Sequence, residues 1–171
     1  GTGMERDYDY DSHIHLSDMR GAAEIGRIAG ERAVARHGAR KPKTGTYPVL
    51  FDERIAGSLI GHLVSASNGA MIARGSSWLL GKDGQRVLPE GMDLIETPHR
   101  ARVSGSRLFD GEGLPTSDRK IIDDGVLTGW TLDLATARKL GLSSTGSASR
   151  GTSGPPSPSV GHLALTMGEQ S

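Results

Sequence analysis

Asp52 most constrains what this chain can fold into, because it stands where a short apolar run gives way to a helical pattern. Pro48 to Phe51 is apolar, with Thr44-Gly45 before it and charges after it, which predicts a buried strand. Asp52 is placed to cap a helix, and Glu53 puts a carboxylate in the first turn, where the helix dipole favours negative charge. Ile55, Leu59, Ile60 and Leu63 follow at helical spacing, so one face of this helix is expected to meet a core. The stretch closes on Gly61-His62, and His62 is read either as a structural or interface histidine or as a ligand or substrate contact.

Around this junction the chain alternates strand and helix signals. Glu5 to Tyr10 could form an exposed or edge strand, and His13 and His15, two apart, would share a face and could offer a pair of metal ligands or only solvated surface. Ser17-Asp18 offers a cap for a helix running to about Arg36, with Ile25, Ile28, Ala29, Ala33 and Val34 as its apolar stripe and Gly38 as its stop. Arg27, Arg32, Arg36, Arg40, Lys41 and Lys43 make its end basic, which fits dipole complementarity and a solvated face; a phosphate patch lacks the interleaved aromatics that single strands require. Ser67-Asn68-Gly69 permits a break, Ala70 to Leu80 reads as short helix or irregular chain, and Met92 to Glu96 as a strand. Asp124-Gly125 between Lys120-Ile121-Ile122 and Val126-Leu127-Thr128 predicts a hairpin. Asp133 is expected to cap a helix from Leu134 to Leu140 that ends at Gly141, and Leu163 to Thr166 to form a last strand. The sum is an α+β fold, a largely antiparallel or mixed sheet with about three helices, in one partial domain over 1–171.

Several ordered motifs resemble the TldD/PmbA family, a bacterial and archaeal group of metalloprotease subunits also described as modulators of DNA gyrase. The resemblance rests on the Tyr47–Ser65 stretch, Ile72-Ala73-Arg74-Gly75, Phe109-Asp110-Gly111-Glu112-Gly113, Ile121 to Leu127, Ala137-Arg138-Lys139-Leu140-Gly141 and Pro155-Pro156-Ser157-Pro158-Ser159, and it extends over essentially the whole chain. In the family's catalytic subunit, TldD, a His-Glu-x-x-x-His segment corresponds to Gly57 through His62; here Gly57 and Ser58 stand for the first His and the Glu. The resemblance therefore implies the PmbA branch, also called TldE, as the non-catalytic partner. Elementary chemistry agrees, since a hydrolytic zinc site needs about three protein ligands and a general base, and Gly57 and Ser58 supply neither. Residues five apart on a regular helix also point roughly 140° apart, and Gly61 could allow the distortion that would bring such positions together. The family's fold makes this a portion of the PmbA/TldD C-terminal domain, an internal fragment of a longer subunit, as the opening Gly1-Thr2-Gly3 without an initiator Met also suggests.

Asp110 and Glu112 place two carboxylates on a glycine-flexible loop, close after the basic residues His99, Arg100, Arg102 and Arg107. Such a pair could act as acid and base or hold a hard cation. The resemblance implies instead that Asp110, Glu112 and Gly113, with His62, shape or contact a peptide cleft. The run 143–160 is almost wholly Ser, Gly, Thr, Ala and Pro; composition reads it as a flexible loop, whereas the resemblance implies an ordered or semi-ordered loop near that cleft, subject to disorder in a fragment.

Composition trims the functions available. Lys plus Arg equals Asp plus Glu at 20 each, so no whole-chain attraction to nucleic acid or anionic membrane is expected. There is no cysteine, and no apolar run approaches the ~20 residues of a membrane span, so a cytoplasmic protein is the default. The leading expectation is a subunit without catalytic residues or bound cofactor of its own, paired with a TldD-type subunit that carries the zinc and cleaves unfolded or modified peptides, or forming a homo-oligomer in isolation. The alternatives are a non-proteolytic modulator of gyrase or a toxin target, and a free-standing hydrolase built from His62 with Asp110 or Glu112.

Overall fold

The computed structural model describes residues 3–167, whose chain falls into two compact units, 1–50 and 51–171. In the first, a 3-10 turn (Leu16–Asp18) precedes helix α1 (Ala22–Ala35). The helix begins later than the Ser17-Asp18 signal, with Gly21 at its N-cap, because the Asp11 carboxylate draws in the Arg20 amide at 2.7 Å and so closes the turn ahead of it. Glu5 to Tyr10 is extended but forms no strand. Its aspartates reach basic side chains in place of a β-ladder: Asp7 pairs with Arg36 at 2.9 Å, and Asp9 with Arg32 at 2.7 Å and Arg20 at 2.8 Å. The intervening Tyr8 and Tyr10 stack with ring centroids 6.2 Å apart.

The predicted strand at Pro48–Phe51 is not formed. Tyr47 to Phe51 is solvent-exposed chain outside any helix or strand, with Leu50 98% exposed, and among the described residues no strand pairs with it. An apolar run becomes a strand only where a ladder partner exists, and Pro48 cannot donate to one.

The second unit opens with α2 (Glu53–Ala66), capped by the Asp52 carboxylate accepting the Arg54 amide at 3.0 Å. α2 runs without a break through Gly61, so the distortion that glycine could have allowed is absent. A short α3 (Gly69–Ala73) follows, capped by Asn68. The main sheet has the order β3-β2-β1-β6, from β1 (Met92–Glu96), β2 (Arg119–Asp123), β3 (Val126–Leu127) and β6 (Leu163–Met167), and each of its ladders is antiparallel. Asp124 and Gly125 close the predicted hairpin with φ of 47° and 77°, and a Cβ on Gly125 would collide with the Leu88 and Pro89 carbonyls. Helix α4 (Leu134–Leu140) has the expected Asp133 cap, completed by Thr136 as a capping box, and ends on Gly141 in the left-handed region. A two-stranded ladder, β4 (Ala148–Ser149) with β5 (Ser157–Pro158), lies inside the Ser/Gly/Pro-rich run. Leu63 and Ala66 from α2, Ile72 from α3, Leu94, Ile122 and Leu127 from the sheet and Ala137 from α4 share one core. Among the described residues no helix is long and apolar enough to cross a membrane.

Candidate functional site

The segment that sequence reasoning singled out lies on α2, and its polar atoms are used for structure. Ser58 Oγ donates to the Ile55 carbonyl at 2.7 Å, which occupies the hydroxyl within its own helix turn. Gly57 and Gly61 are bare: a Cβ built on either meets nothing within 4 Å. His62 is exposed on the same helix as Ile55 and Leu59, which are 52% and 46% exposed. The buried side of α2 carries Leu63 and Ala66 instead. Among the described residues no three His, Cys, Asp or Glu side chains are grouped so as to hold a metal ion, and His13 is taken up by Asp11 at 3.1 Å.

Asp110 is buried, and its carboxylate acts as the knot of the loop that carries it. One oxygen accepts the Glu112 and Leu114 amides, each at 2.9 Å, and the other accepts the Ala148 amide of β4 at 3.0 Å. Burial pushes its pKa up, but the Ala148, Leu114 and Glu112 amides together with the Arg107 charge outweigh that and hold the carboxyl below the usual range. Glu112 reaches elsewhere, accepting the Leu134 amide at 2.8 Å at the start of α4. Gly113, which follows Glu112, takes φ 81°, and its amide donates to the Asp110 carbonyl at 3.1 Å. The Asp-Gly-Glu-Gly segment thus joins β4 to α4: both oxygens of Asp110 and one oxygen of Glu112 accept main-chain amides. Among the described residues no hydrogen bond connects either one to His62.

The break after α2 is tied to β5 by Asn68. Asn68 caps α3 by accepting the Ala70 amide at 2.9 Å, and its side-chain nitrogen donates to the Pro158 carbonyl of β5, also at 2.9 Å. Thr131 brackets the same turn, accepting the Gly69 amide at 2.8 Å and donating its own amide to Ser67 at 3.0 Å. The legible signal was Asn before Gly at a helix end, which favours a cap. An open cleft of ≈ 250 Å³ lies here, between the C-terminal half of α2 (Gly61, Val64, Ser65), Asn68, Thr131 and the run Pro158-Ser159-Val160. No charged side chain lines it. His62, Asp110, Glu112 and Gly113 stand outside its lining.

The sequence pattern of the PmbA/TldA metallopeptidase C-terminal domain matches residues 44–171. The chain belongs to the PmbA/TldD family. It is 41% identical to the metalloprotease PmbA of Escherichia coli O157:H7 over 145 residues, 85% of this chain and 32% of that protein. A candidate modulator of DNA gyrase from Bacteroides thetaiotaomicron superposes with a TM-score of 0.82 at 29% identity, over 94% of this chain and 34% of that one. TldE from Thermococcus kodakarensis gives 0.59 at 27% identity, over 68% and 27%. The chain spans about a third of the length of the curated relatives it matches. The α+β fold, with its antiparallel sheet, is that of these PmbA/TldD neighbours. The metal implied by the family's description does not fit the positions Gly57 and Ser58, since glycine offers no ligand atom and the Ser58 hydroxyl is already committed to Ile55.

Proposed function

We propose that this chain is part of a PmbA/TldE-type subunit that forms the wall of a peptide cleft in a cytoplasmic metalloprotease, while a TldD-type partner supplies zinc and the general base. The observation that carries the reading is the state of α2: Gly57 is bare, the Ser58 hydroxyl is spent within the helix, and among the described residues exposed His62 belongs to no group of three or more metal-ligating side chains. A hydrolytic zinc ion needs about three protein ligands. The well-tied Asp110–Ala148 and Asn68–Pro158 contacts hold a wall rigid without doing chemistry, as a substrate-lining subunit requires. Unfolded or modified peptides are the substrate class proposed for the complex.

Zinc content and peptidase activity of the full-length subunit, alone and mixed with a TldD-type subunit of the same organism, test this directly. The expected result is less than stoichiometric zinc and no cleavage alone, with chelator-sensitive cleavage in the mixture. Stoichiometric zinc and cleavage by this subunit alone would overturn it.

A further inference from the structure

We propose that Asn68-Gly69 is a latent self-modification site: the fold holds it inert, and opening of its turn lets the Asn68 side chain close onto the Gly69 nitrogen with loss of ammonia. The proposal does not depend on the subunit assignment.

Asn68 is the only asparagine of the chain, and it precedes a glycine, the neighbour that least obstructs attack of a main-chain nitrogen on the asparagine side chain. The fold requires both residues. A Cβ on Gly69 would lie 2.5 Å from Leu132 Cδ2 and 2.8 Å from the Thr131 carbonyl oxygen, so a larger residue does not fit. Asn68 has to accept and to donate, since its Oδ1 takes the Ala70 amide and its Nδ2 donates to the Pro158 carbonyl, each at 2.9 Å. An aspartate could cap α3 but has no N–H for Pro158.

The same contacts block the reaction. Ring closure needs the Gly69 nitrogen to lose its proton and Asn68 Cγ to swing onto it. In the fold Gly69 is buried and its N–H is donated to the Thr131 carbonyl at 2.8 Å, while both ends of the Asn68 side-chain amide are held. The shield is repeated at Asp83-Gly84, Asp110-Gly111 and Asp124-Gly125. Each glycine amide there donates to a main-chain carbonyl remote in sequence: Leu127 at 2.9 Å, Ala148 at 2.8 Å and Met92 at 2.7 Å. An ionised carboxylate is the poorer electrophile, so Asn68 is the member of this set that reacts first.

Once Thr131 and Pro158 let go, the Gly69 nitrogen gives its proton to solvent base and attacks Asn68 Cγ. The N–Cγ bond forms, the Cγ–Nδ2 bond breaks, and Nδ2 takes up a proton and leaves as ammonia. Water then opens the cyclic imide at either carbonyl, leaving aspartate or isoaspartate at position 68. Neither product can donate to Pro158, and isoaspartate also lengthens the main chain between α2 and α3. The change is a one-way mark on a chain that has opened.

The test incubates the full-length subunit in mildly alkaline buffer, native and in denaturant, and follows tryptic peptides by mass spectrometry. Cleavage after Arg54 and Arg74 releases Ile55–Arg74, in which Asn68 is the only side-chain amide and no Asp or Glu occurs, so an amide-to-acid mass shift reports position 68 alone. Conversion should run about tenfold or more faster in denaturant, because the rate follows the fraction of time the turn is open. Equal rates in the two conditions would overturn the shield. Asn68→Asp, which carries one product from the start, should speed tryptic cleavage after Arg150, between β4 and β5, about fivefold or more under native conditions. A variant as resistant as the unsubstituted subunit would overturn the one-way mark.

Discussion

Helices α1 and α2 are each 14 residues long, and each carries two glycines four apart, yet they are held by opposite means. No residue of α1 is buried; its stripe of Ile25, Ile28, Ala29 and Ala33 is only half covered, and Val34 is 74% exposed. What fixes α1 is charge, with Arg32 and Arg36 on Asp9 and Asp7, whose own side chains are 7% and 4% exposed. α2 has a side-chain cap and sinks Leu63 and Ala66 into the core. Isolated helices of this length are marginal in water, so each needs its tether. A packed helix can carry a site wall, because packing is insensitive to ions; a charge-tethered one responds to its medium.

The largest expected effect separates the two by cavity formation. Leu63→Ala should lower the stability of the second unit by about 2–4 kcal/mol, whereas Ile25→Ala in half-exposed α1 should cost well under half of that. The chain offers a built-in readout: both tryptophans, Trp78 and Trp130, lie in the second unit and all three tyrosines, Tyr8, Tyr10 and Tyr47, in the first. Denaturant unfolding followed at the two sets of wavelengths checks it, and equal losses from the two substitutions would erase the distinction.

Ionic conditions sharpen the same contrast with a smaller effect. Arg20's hydrogen bond, opposed by burial and supported by Arg32, holds Asp9 below the ordinary carboxylate range, and Arg20's backbone amide does the same for Asp11. A depressed carboxyl contributes stability that is present above its unfolded pKa of about 3.9 and is lost as pH falls through its folded one. Acidification below about pH 4 should therefore release α1, seen as lost helicity and changed tyrosine emission. Asp110 is depressed too and its loop should loosen in the same direction, but largely because neutral amides face it. Salt then distinguishes the two: 1 M NaCl, where the screening length is only ~3 Å, should weaken the α1 tether and leave the Asp110 loop in place. An unchanged first unit in high salt would show that its half-covered apolar stripe, not its ion pairs, holds it.

The legibility of the chain follows from the same division. Caps and tight turns are local chemistry, so Asp52, the Asp124-Gly125 hairpin and the Asp133 helix with Gly141 could be read directly. Met92–Glu96 was likewise placed, since its ladder partners lie within the chain. Pro48–Phe51 looked as apolar as a strand, but strandhood depends on a partner that no local pattern declares. The β4–β5 ladder inside the 143–160 run was hidden for a related reason: its strands meet Asp110 and Asn68, 38 and 90 residues away from their partners Ala148 and Pro158. At the candidate site, Gly57 and Ser58 are plain in the sequence, whereas the cleft lined by Val160 exists only once those distant contacts close.

The smallest expected effect comes from the glycines that the two helices share. Gly26, Gly30, Gly57 and Gly61 each leave open space where a Cβ would go, so alanine should cost nothing in sterics. Each substitution should recover roughly 0.5–1 kcal/mol of helix propensity. In α1 the gain should appear as added helicity and as retention of α1 in high salt, because propensity would replace part of the charge tether. In α2, already packed, Gly57→Ala should raise the stability of the second unit by the same small amount without touching the cleft, since Gly57 is absent from its lining while Gly61 belongs to it. Thermal unfolding of Gly26→Ala and Gly57→Ala, each in low and high salt, checks the pair. A salt-dependent gain in α1 beside a salt-independent gain in α2 is the outcome that charge and packing require; salt-independent gains in both would mean that α1 is held as α2 is.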